Sequence, residues 1–246
     1  MNFQKRLEYL NYIIENEIKN SNDLSWRSHL ITKKYEYKKI NNYFIGDNVL
    51  EIGSANHCLT TNILLHWSKK LTTVDQTDSF EEIRKKYSHF KSIICKWEEL
   101  EIEDEKFSDI VFTHGLEHIE NRIEVIFKLK NFLADNGRMH IVVPNALSLH
   151  RLIGAEMGLL DSPYDFTEAD IRSNHVIVYD FNLLKKDIKA ANLNILCMEG
   201  IQLKPMTDFQ LSSFPREYFD ALDSISYLFN EYCSEIYACA IKNYKV

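Results

Sequence analysis

The chain has 246 residues, 45% of them hydrophobic and 26% charged, with 36 acidic against 29 basic side chains and a formal net charge of −7. That is enough to bury a sizeable core, and the balance is that of a globular protein. A dedicated nucleic-acid binder would need a conspicuous basic surface, which the acidic excess argues against. Cys58, Cys95, Cys197, Cys233 and Cys239 lie far apart or on apolar runs without CxxC spacing, so buried reduced thiols are expected.

The N-terminus is neither a signal peptide nor a membrane span, so a cytoplasmic protein without a membrane partner is expected. Phe3, Leu7, Leu10 and Ile14 recur at helical spacing, and a second helical segment from Trp26 to Tyr43 carries Lys33, Lys34, Lys38 and Lys39. Such a preface (residues 1–44) packs over a sheet edge or lids its ligand. Trp26, Arg27 and His29 read as surface and packing residues first, with substrate contact as the other reading.

From Asn48 onward strands and helices alternate: strand 49–53, helix 58–69, strand 71–75, helix 79–88, strand 91–95, strand 108–113, helix 121–134, strand 138–143. This rhythm implies right-handed βαβ units and a parallel sheet covered on both faces. Asp78 and Glu81 have capping-box spacing, and Asp135-Asn136-Gly137 supplies a turn. After Pro144 the rhythm breaks. Residues 145–180 hold one helix (147–157), a Ser162-Pro163 turn and polar residues, an insertion long enough to be functional. Helix 182–191, strand 194–198, a helix around 216–229 and a strand 235–241 complete what reads as one domain, 1–246.

The organising stretch is Val49-Leu50-Glu51-Ile52-Gly53-Ser54-Ala55-Asn56-His57, a buried strand that stops at a carboxylate, a glycine and small polar residues before a helix. Backbone N–H groups at such a turn form a nucleotide-type site. The next strand ends in Asp75, an acid placed to accept both hydroxyls of a ribose.

Four stretches together resemble the class I S-adenosylmethionine-dependent methyltransferases, in the branch with small-molecule acceptors. Val49 to Ser54 resembles the first motif of that family and Thr73-Val74-Asp75 its second. Phe107-Ser108-Asp109-Ile110-Val111-Phe112-Thr113-His114-Gly115-Leu116-Glu117-His118 is similar to the fourth-strand segment, and Asn136 through Asn145 to the fifth. The resemblance implies a doubly wound α/β sheet of seven strands in the order 3-2-1-4-5-7-6, mostly parallel, with the last strand antiparallel. It also implies S-adenosylmethionine as cofactor and S-adenosylhomocysteine as product. Ala55 and His57 stand where family members usually have glycine, so this loop is bulkier.

On that resemblance Glu51 contacts the methionine end of the cofactor, Gly53, Ser54 and Ala55 form the loop that binds it, and Asp75 accepts the ribose. Adenine lies by Gln76 and Trp97, while Thr113 and His114 stand against the methionine part. Lys96 replaces an acid that often bonds the adenine amino group. Glu117 and His118 open the following helix and face the acceptor. The insertion supplies Asn145, His150, Arg151, Arg172 and His175; two arginines with two histidines suggest an anionic, phosphorylated or sugar-linked acceptor. Residues 145–151 and 174–180 also look like segments of methyltransferases from polysaccharide and nucleotide-sugar gene clusters, which implies a role in capsule or surface polysaccharide biosynthesis.

His118 and His175 are the candidate general bases, with O-methylation favoured over N-methylation. His114 and His118 straddle Gly115 and lack the HExxH arrangement, so no metal is expected. Each assignment has a bland counterpart: a cap for Asp75, core packing for Trp97, a loop brace for His118, surface ion pairs for the arginines. Two rival functions are a NAD-dependent oxidoreductase, which lacks its GxGxxG here, and a non-catalytic protein retaining the fold. Nothing in the sequence sets the oligomeric state.

Overall fold

Strands that are apolar at consecutive positions need cover on both sides, and both sides of this sheet are covered. The computed structural model describes residues 1–54 and 58–243. In chain order the elements are α1 (Phe3–Asn20), α2 (Leu24–Asn41), β1 (Asn48–Ile52), α3 (Leu59–Trp67), β2 (Lys70–Asp75), α4 (Glu81–Lys86), β3 (Phe90–Ile94) and β4 (Phe107–Thr113). They continue with α5 (Arg122–Phe132), β5 (Leu133–Pro144), α6 (Leu149–Glu156), α7 (Glu168–Arg172), α8 (Phe181–Ala190), β6 (Leu193–Ile201), α9 (Asp208–Leu211), α10 (Arg216–Ile225) and β7 (Glu235–Lys242). No helix among the described residues is long and apolar enough to cross a membrane.

The sheet has seven strands in the order β3-β2-β1-β4-β5-β7-β6. β1 to β5 pair in parallel, and β7 runs antiparallel to both β5 and β6. This is the expected order, and the reversal of direction after β1 opens a crevice at the carboxyl ends of β1 and β4.

The two-residue period of a strand sorts the core into two layers. Val49, Leu71, Val111, Val142, Tyr237 and Cys239 face one side and meet Leu10, Ile14, Tyr37, Ile40, Ile63 and Trp67 from α1, α2 and α3. Leu50, Ile52, Ile110, Phe112, Ile141 and Ile236 face the other side and meet Val125, Ile126 and Leu129 of α5 and Leu184 and Ile188 of α8. The N-terminal preface therefore lies across a sheet face, with α2 packed against α9, β6 and β7.

A charged network pins the amino end of β4. Asp109, fully buried, accepts from the Ile45 and Gly46 amides at 3.0 and 2.8 Å and from the Ser108 hydroxyl at 2.8 Å, and it faces His140 Nε2 at 3.1 Å. Burial alone would raise the Asp109 pKa, but the His140 ring and the two amides outweigh it and hold the carboxyl below its ordinary value.

Three local expectations need correction. Asp78 forms no capping box with Glu81: helix α4 begins after Phe80 without a side-chain cap, and Asp78 instead grips the Arg84 guanidinium at 2.8 Å on both oxygens. A bidentate arginine is the stronger partner for an exposed carboxylate. Asp135-Asn136-Gly137 is absorbed into β5 as an irregularity, where pairing jumps from Phe107–Leu133 to Asp109–Arg138. The helix expected over 216–229 stops at Ile225 and continues as a 3₁₀ segment, Ser226–Tyr232, broken at Phe229.

Candidate functional site

Gly53 ends β1 at φ +74°, and its N–H donates to the Val74 carbonyl at 2.8 Å, so the chain turns away at the mouth of the crevice. A Cβ there would be strained and would stand 3.1 Å from the Trp97 ring, which lies over this glycine. Trp97 packs edge-on against Phe112, its ring centroid 5.4 Å away. The same Trp97 ring thus packs on Phe112 and lines the crevice.

Asp75 bridges the two strand tips. Its Oδ2 accepts from the Ser54 amide and hydroxyl, both at 3.0 Å, and its Oδ1 from the Thr77 amide and hydroxyl at 3.0 and 3.2 Å. The carboxylate is thereby fixed in orientation on the crevice wall. Ala55 and His57 lie outside the described residues. Gln76 is exposed and does not line the crevice.

Glu51 sits one layer beneath. The Thr61 and Thr73 hydroxyls donate to its Oε2 at 2.6 and 2.7 Å, while Oε1 is buried without a partner among the described residues. Burial pushes its pKa up to about 7, against the pull of the threonine hydroxyls. The folded protein thus holds this proton longer than the unfolded chain, so Glu51 lowers stability as pH rises from about 4.5 toward 7. Without ligand, Glu51→Gln is expected to remove an acid-to-neutral loss of up to about 3 kcal/mol from the unfolding free energy, converting the shift at about 1.4 kcal/mol per unit. Denaturant unfolding between pH 4 and 8 checks this; parallel curves for the two proteins would contradict it.

At the far end of the crevice the fourth-strand segment makes a sharp bend. His114 lies at φ +52° with its N–H on the Val142 carbonyl at 2.8 Å, and Gly115 is required because a Cβ would fall 2.0 Å from Phe112 Cε2. The bend surrounds His114 with three acids. Its Nε2 is 3.2 Å from Glu36 and 3.5 Å from Glu235, and its Nδ1 is 3.8 Å from Glu117. Lys33 closes on Glu36 at 2.6 Å. Burial and Lys33 oppose charging of His114, but Glu235 and Glu36 prevail and raise its pKa. Glu36 is lowered in turn because Lys33 and His114 outweigh its burial. Glu36, Lys33 and Glu235 carry no local sequence signal toward this site.

Glu117 and His118 form a 3₁₀ turn, Leu116–His118, rather than opening α5, which starts at Arg122. The insertion docks on this turn through the Val176 amide, which donates to the Glu117 carbonyl at 2.8 Å. His118 and His175 then meet edge to face, centroids 4.7 Å apart. His175 Nδ1 lies 2.9 Å from Asp170, which is also held by Arg151 at 2.9 Å and by the Thr167 amide and hydroxyl at 2.8 and 2.7 Å. These donors overcome burial and depress the Asp170 carboxyl well below its usual range.

The cleft so formed has a volume of about 540 Å³, ample for a nucleoside-sized ligand. It brings together Gly53, Ser54, Asp75, Trp97, Thr113, His114, Glu117, His118 and His175, with His29 and Lys33 of α2 on its rim. Burial beside Lys33 pushes His29 down to about 3, so it is neutral. Trp26 stacks on His29, centroids 4.9 Å apart, and Arg27 is bound to the Ser21 carbonyl at 2.6 and 2.9 Å.

Four residues expected at the acceptor are elsewhere. The Asn145 amide donates to the Glu231 and Cys233 carbonyls, both at 2.8 Å, and its oxygen accepts from Leu147 at 3.0 Å, so it is consumed in holding the loop. Arg151 turns inward to Asp170 and to the carbonyls of Pro163 and Asp165. His150 lines a separate cavity of about 600 Å³ on the other side of Pro144, where burial lowers it to about 3. Arg172 is exposed and lines neither cavity. Each arginine found a partner or solvent cheaper than an open cleft, which charge counting in a sequence does not reveal.

Residues 25–198 match a family model described as a methyltransferase domain. No curated protein matches the chain. Among solved structures the chain is similar to an S-adenosylmethionine-dependent methyltransferase from Mesorhizobium loti, at 12% identity and a TM-score of 0.59, covering 84% of this chain and 97% of that one. A putative methyltransferase from Bacillus halodurans is similar at 14% identity and 0.57, covering 85% and 99%. The N-methyltransferase NodS from Bradyrhizobium japonicum, solved with S-adenosyl-L-homocysteine, is similar at 15% and 0.52, covering 97% and 99%. At these identities the likeness is one of fold.

Proposed function

The chain belongs to the methyltransferase-domain family, and from that premise we propose that it carries the methyl group of S-adenosylmethionine to a hydroxyl of a small metabolite, releasing S-adenosylhomocysteine. The observation that carries the reading is the Asp75 carboxylate, fixed by Ser54 and Thr77 beside Gly53 and Trp97. A ribose diol would take its place on Asp75 by displacing the Ser54 and Thr77 hydroxyls while the two backbone amides keep the carboxylate in orientation. The Trp97 ring then offers a face to adenine. The absence of a side chain at Gly53 lets the Trp97 ring lie close over the turn, and Thr113 and His114 border the methionine end. Glu51 supports the turn from below.

Methyl transfer from a sulfonium is an in-line displacement: the acceptor oxygen bonds the methyl carbon, the carbon–sulfur bond breaks, and its electron pair leaves on sulfur as a neutral thioether. The protein's task is to hold donor and acceptor in line and keep water out. A hydroxyl acceptor must also release its proton. Glu117, His118 and His175 are the groups at that end of the cleft, and Asp170 and Arg151 position His175.

The acceptor reading shifts with the arginines. Because Arg151 and Arg172 are not on the cleft, a neutral hydroxyl compound suits the site better than a phosphate, and the resemblance of residues 145–151 and 174–180 supports a sugar-linked one. The test is incubation with methyl-labelled S-adenosylmethionine and matched panels of free sugars, nucleotide sugars, sugar phosphates and amines. Transfer to a sugar hydroxyl is the expected result. Transfer confined to phosphorylated compounds restores the anionic acceptor, and transfer to amines alone overturns O-methylation.

A further inference from the structure

We propose that Glu117, His118 and His175 bind a divalent first-row transition-metal ion at the acceptor end of the cleft. One carboxylate oxygen and one nitrogen from each imidazole lie within 4.8 Å of one another. All three residues line the same open cavity. Bonds of about 2.1 Å require ligand atoms no more than about 4.2 Å apart, so small side-chain rotations close the set around an ion. Two imidazoles with one carboxylate suit ions such as Zn²⁺, Mn²⁺ or Fe²⁺, and three protein ligands leave positions open.

Two further features point the same way. Glu117 is buried and its Oε2 has no hydrogen-bond partner among the described residues, an expensive state for a carboxylate oxygen that a cation relieves. His175 has the supporting contact of a metal-bound imidazole: its Nδ1 lies 2.9 Å from an Asp170 oxygen, which leaves Nε2 as the ring atom to ligate. Asp170 is itself anchored by Arg151 and Thr167. A second group, Glu36, His114 and Glu235, also has its ligand atoms close together, but the Lys33 ammonium already sits 2.6 Å from Glu36 and serves as its cation. The Glu117 group contains no lysine or arginine among the described residues, and His114 Nδ1 stands 3.8 Å from Glu117, beyond hydrogen-bond distance.

The sequence pattern pointed away from a metal because it paired His118 with His114, its neighbour in the chain. The fold pairs it with His175 across the insertion instead.

The role of the ion, though not its binding, rests on the methyl-transfer reading. An acceptor hydroxyl on the open positions is oriented toward the methyl group and loses its proton more readily than in water. The O–H bond breaks to solvent, and the oxygen's electron pair forms the new bond to carbon. The two imidazoles then act as ligands and not as proton acceptors.

The test uses the untagged chain, stripped with chelator and titrated separately with Co²⁺, followed by its visible absorption, and with Zn²⁺ by calorimetry. One equivalent is expected to bind in the micromolar range or tighter. His118→Ala and His175→Ala are expected to weaken it at least 100-fold, and Asp170→Asn about 10- to 100-fold. Thermal melting and S-adenosylhomocysteine binding of each variant establish that it is folded. His150→Ala, in the other cavity, is expected to bind the ions like wild type. No binding to wild type at millimolar ion, or binding indifferent to loss of both histidines, overturns the metal site. Retained nucleoside binding in that case leaves the methyl-transfer reading standing; absent nucleoside binding by a folded, ion-binding wild type overturns that reading and not the site.

Discussion

Asp109→Ala is expected to lower the unfolding free energy by about 2–4 kcal/mol, because two backbone amides lose their acceptor at roughly 1–3 kcal/mol each. The residue is far from the crevice, yet the expected loss is among the largest in the molecule. Removal orphans the Ile45 and Gly46 amides and leaves His140 facing an empty pocket beneath the sheet. The lowered pKa of Asp109 fixes the sign of the pH dependence. Its stabilisation is complete above the unfolded carboxyl pKa and is lost as pH falls through the depressed folded value. Wild type and variant should therefore converge in strongly acidic buffer. Urea unfolding at pH 7 and near pH 3 checks both statements, and a loss under about 1 kcal/mol at pH 7 would show that the network is not the clasp inferred from it.

Asp75→Ala is expected to weaken S-adenosylhomocysteine binding by about 100- to 1,000-fold, since two hydrogen bonds from a diol to a carboxylate contribute roughly 1.5–3 kcal/mol each before the loss of competing donors is counted. Asp75 is half-buried and its present partners are two hydroxyls and two amides, those of Thr77 exposed and those of Ser54 buried. The variant should therefore unfold within about 2 kcal/mol of wild type, the cost of removing the acceptor of the buried Ser54 groups. Binding and stability thus separate: a large loss of affinity in a protein that stays folded with a moderately lowered melt is the expected pair. Asp75→Asn, which keeps the shape and one acceptor oxygen, should fall between. Calorimetric titration of the three proteins makes the comparison, and equal affinities would place the ribose elsewhere.

What the sequence disclosed and what it hid have physical causes. The strand-end positions of Glu51, Gly53 and Asp75 were legible because a strand that runs from apolar to acid to glycine can end in few other ways, and each signal is contained in adjacent residues. The terminal strand Glu235–Lys242 was legible from its alternation, and its antiparallel insertion between β5 and β6 followed the resemblance. The far end of the cleft was not legible because it is assembled from distant segments: Glu36 meets His114 across 78 positions, and His175 meets His118 only after the insertion folds back. Charge type was the least reliable guide. Arg151 and Arg172 looked like anion receptors, but one is spent on the insertion's own carbonyls and Asp170, and the other points to water. Asp78 illustrates the same limit on a small scale, where a nearby arginine displaced the capping box that spacing alone suggested.

Labour is divided within the cleft. The half built from β1 and β2 is fixed by short local hydrogen bonds and is expected to be preformed. The half built from the 3₁₀ turn and the insertion depends on the Val176–Glu117 backbone bond and the Asp170 anchor. Substitutions in the first half should act on donor binding, and those in the second on acceptor turnover with donor affinity retained.

The most direct trial is a crystal structure of the wild-type chain with S-adenosylhomocysteine. Both ribose hydroxyls are predicted within hydrogen-bond distance of Asp75, with the thioether sulfur directed toward Glu117, His118 and His175. Nucleoside density outside the cleft, or a ribose turned from Asp75 toward solvent, would contradict the proposed site.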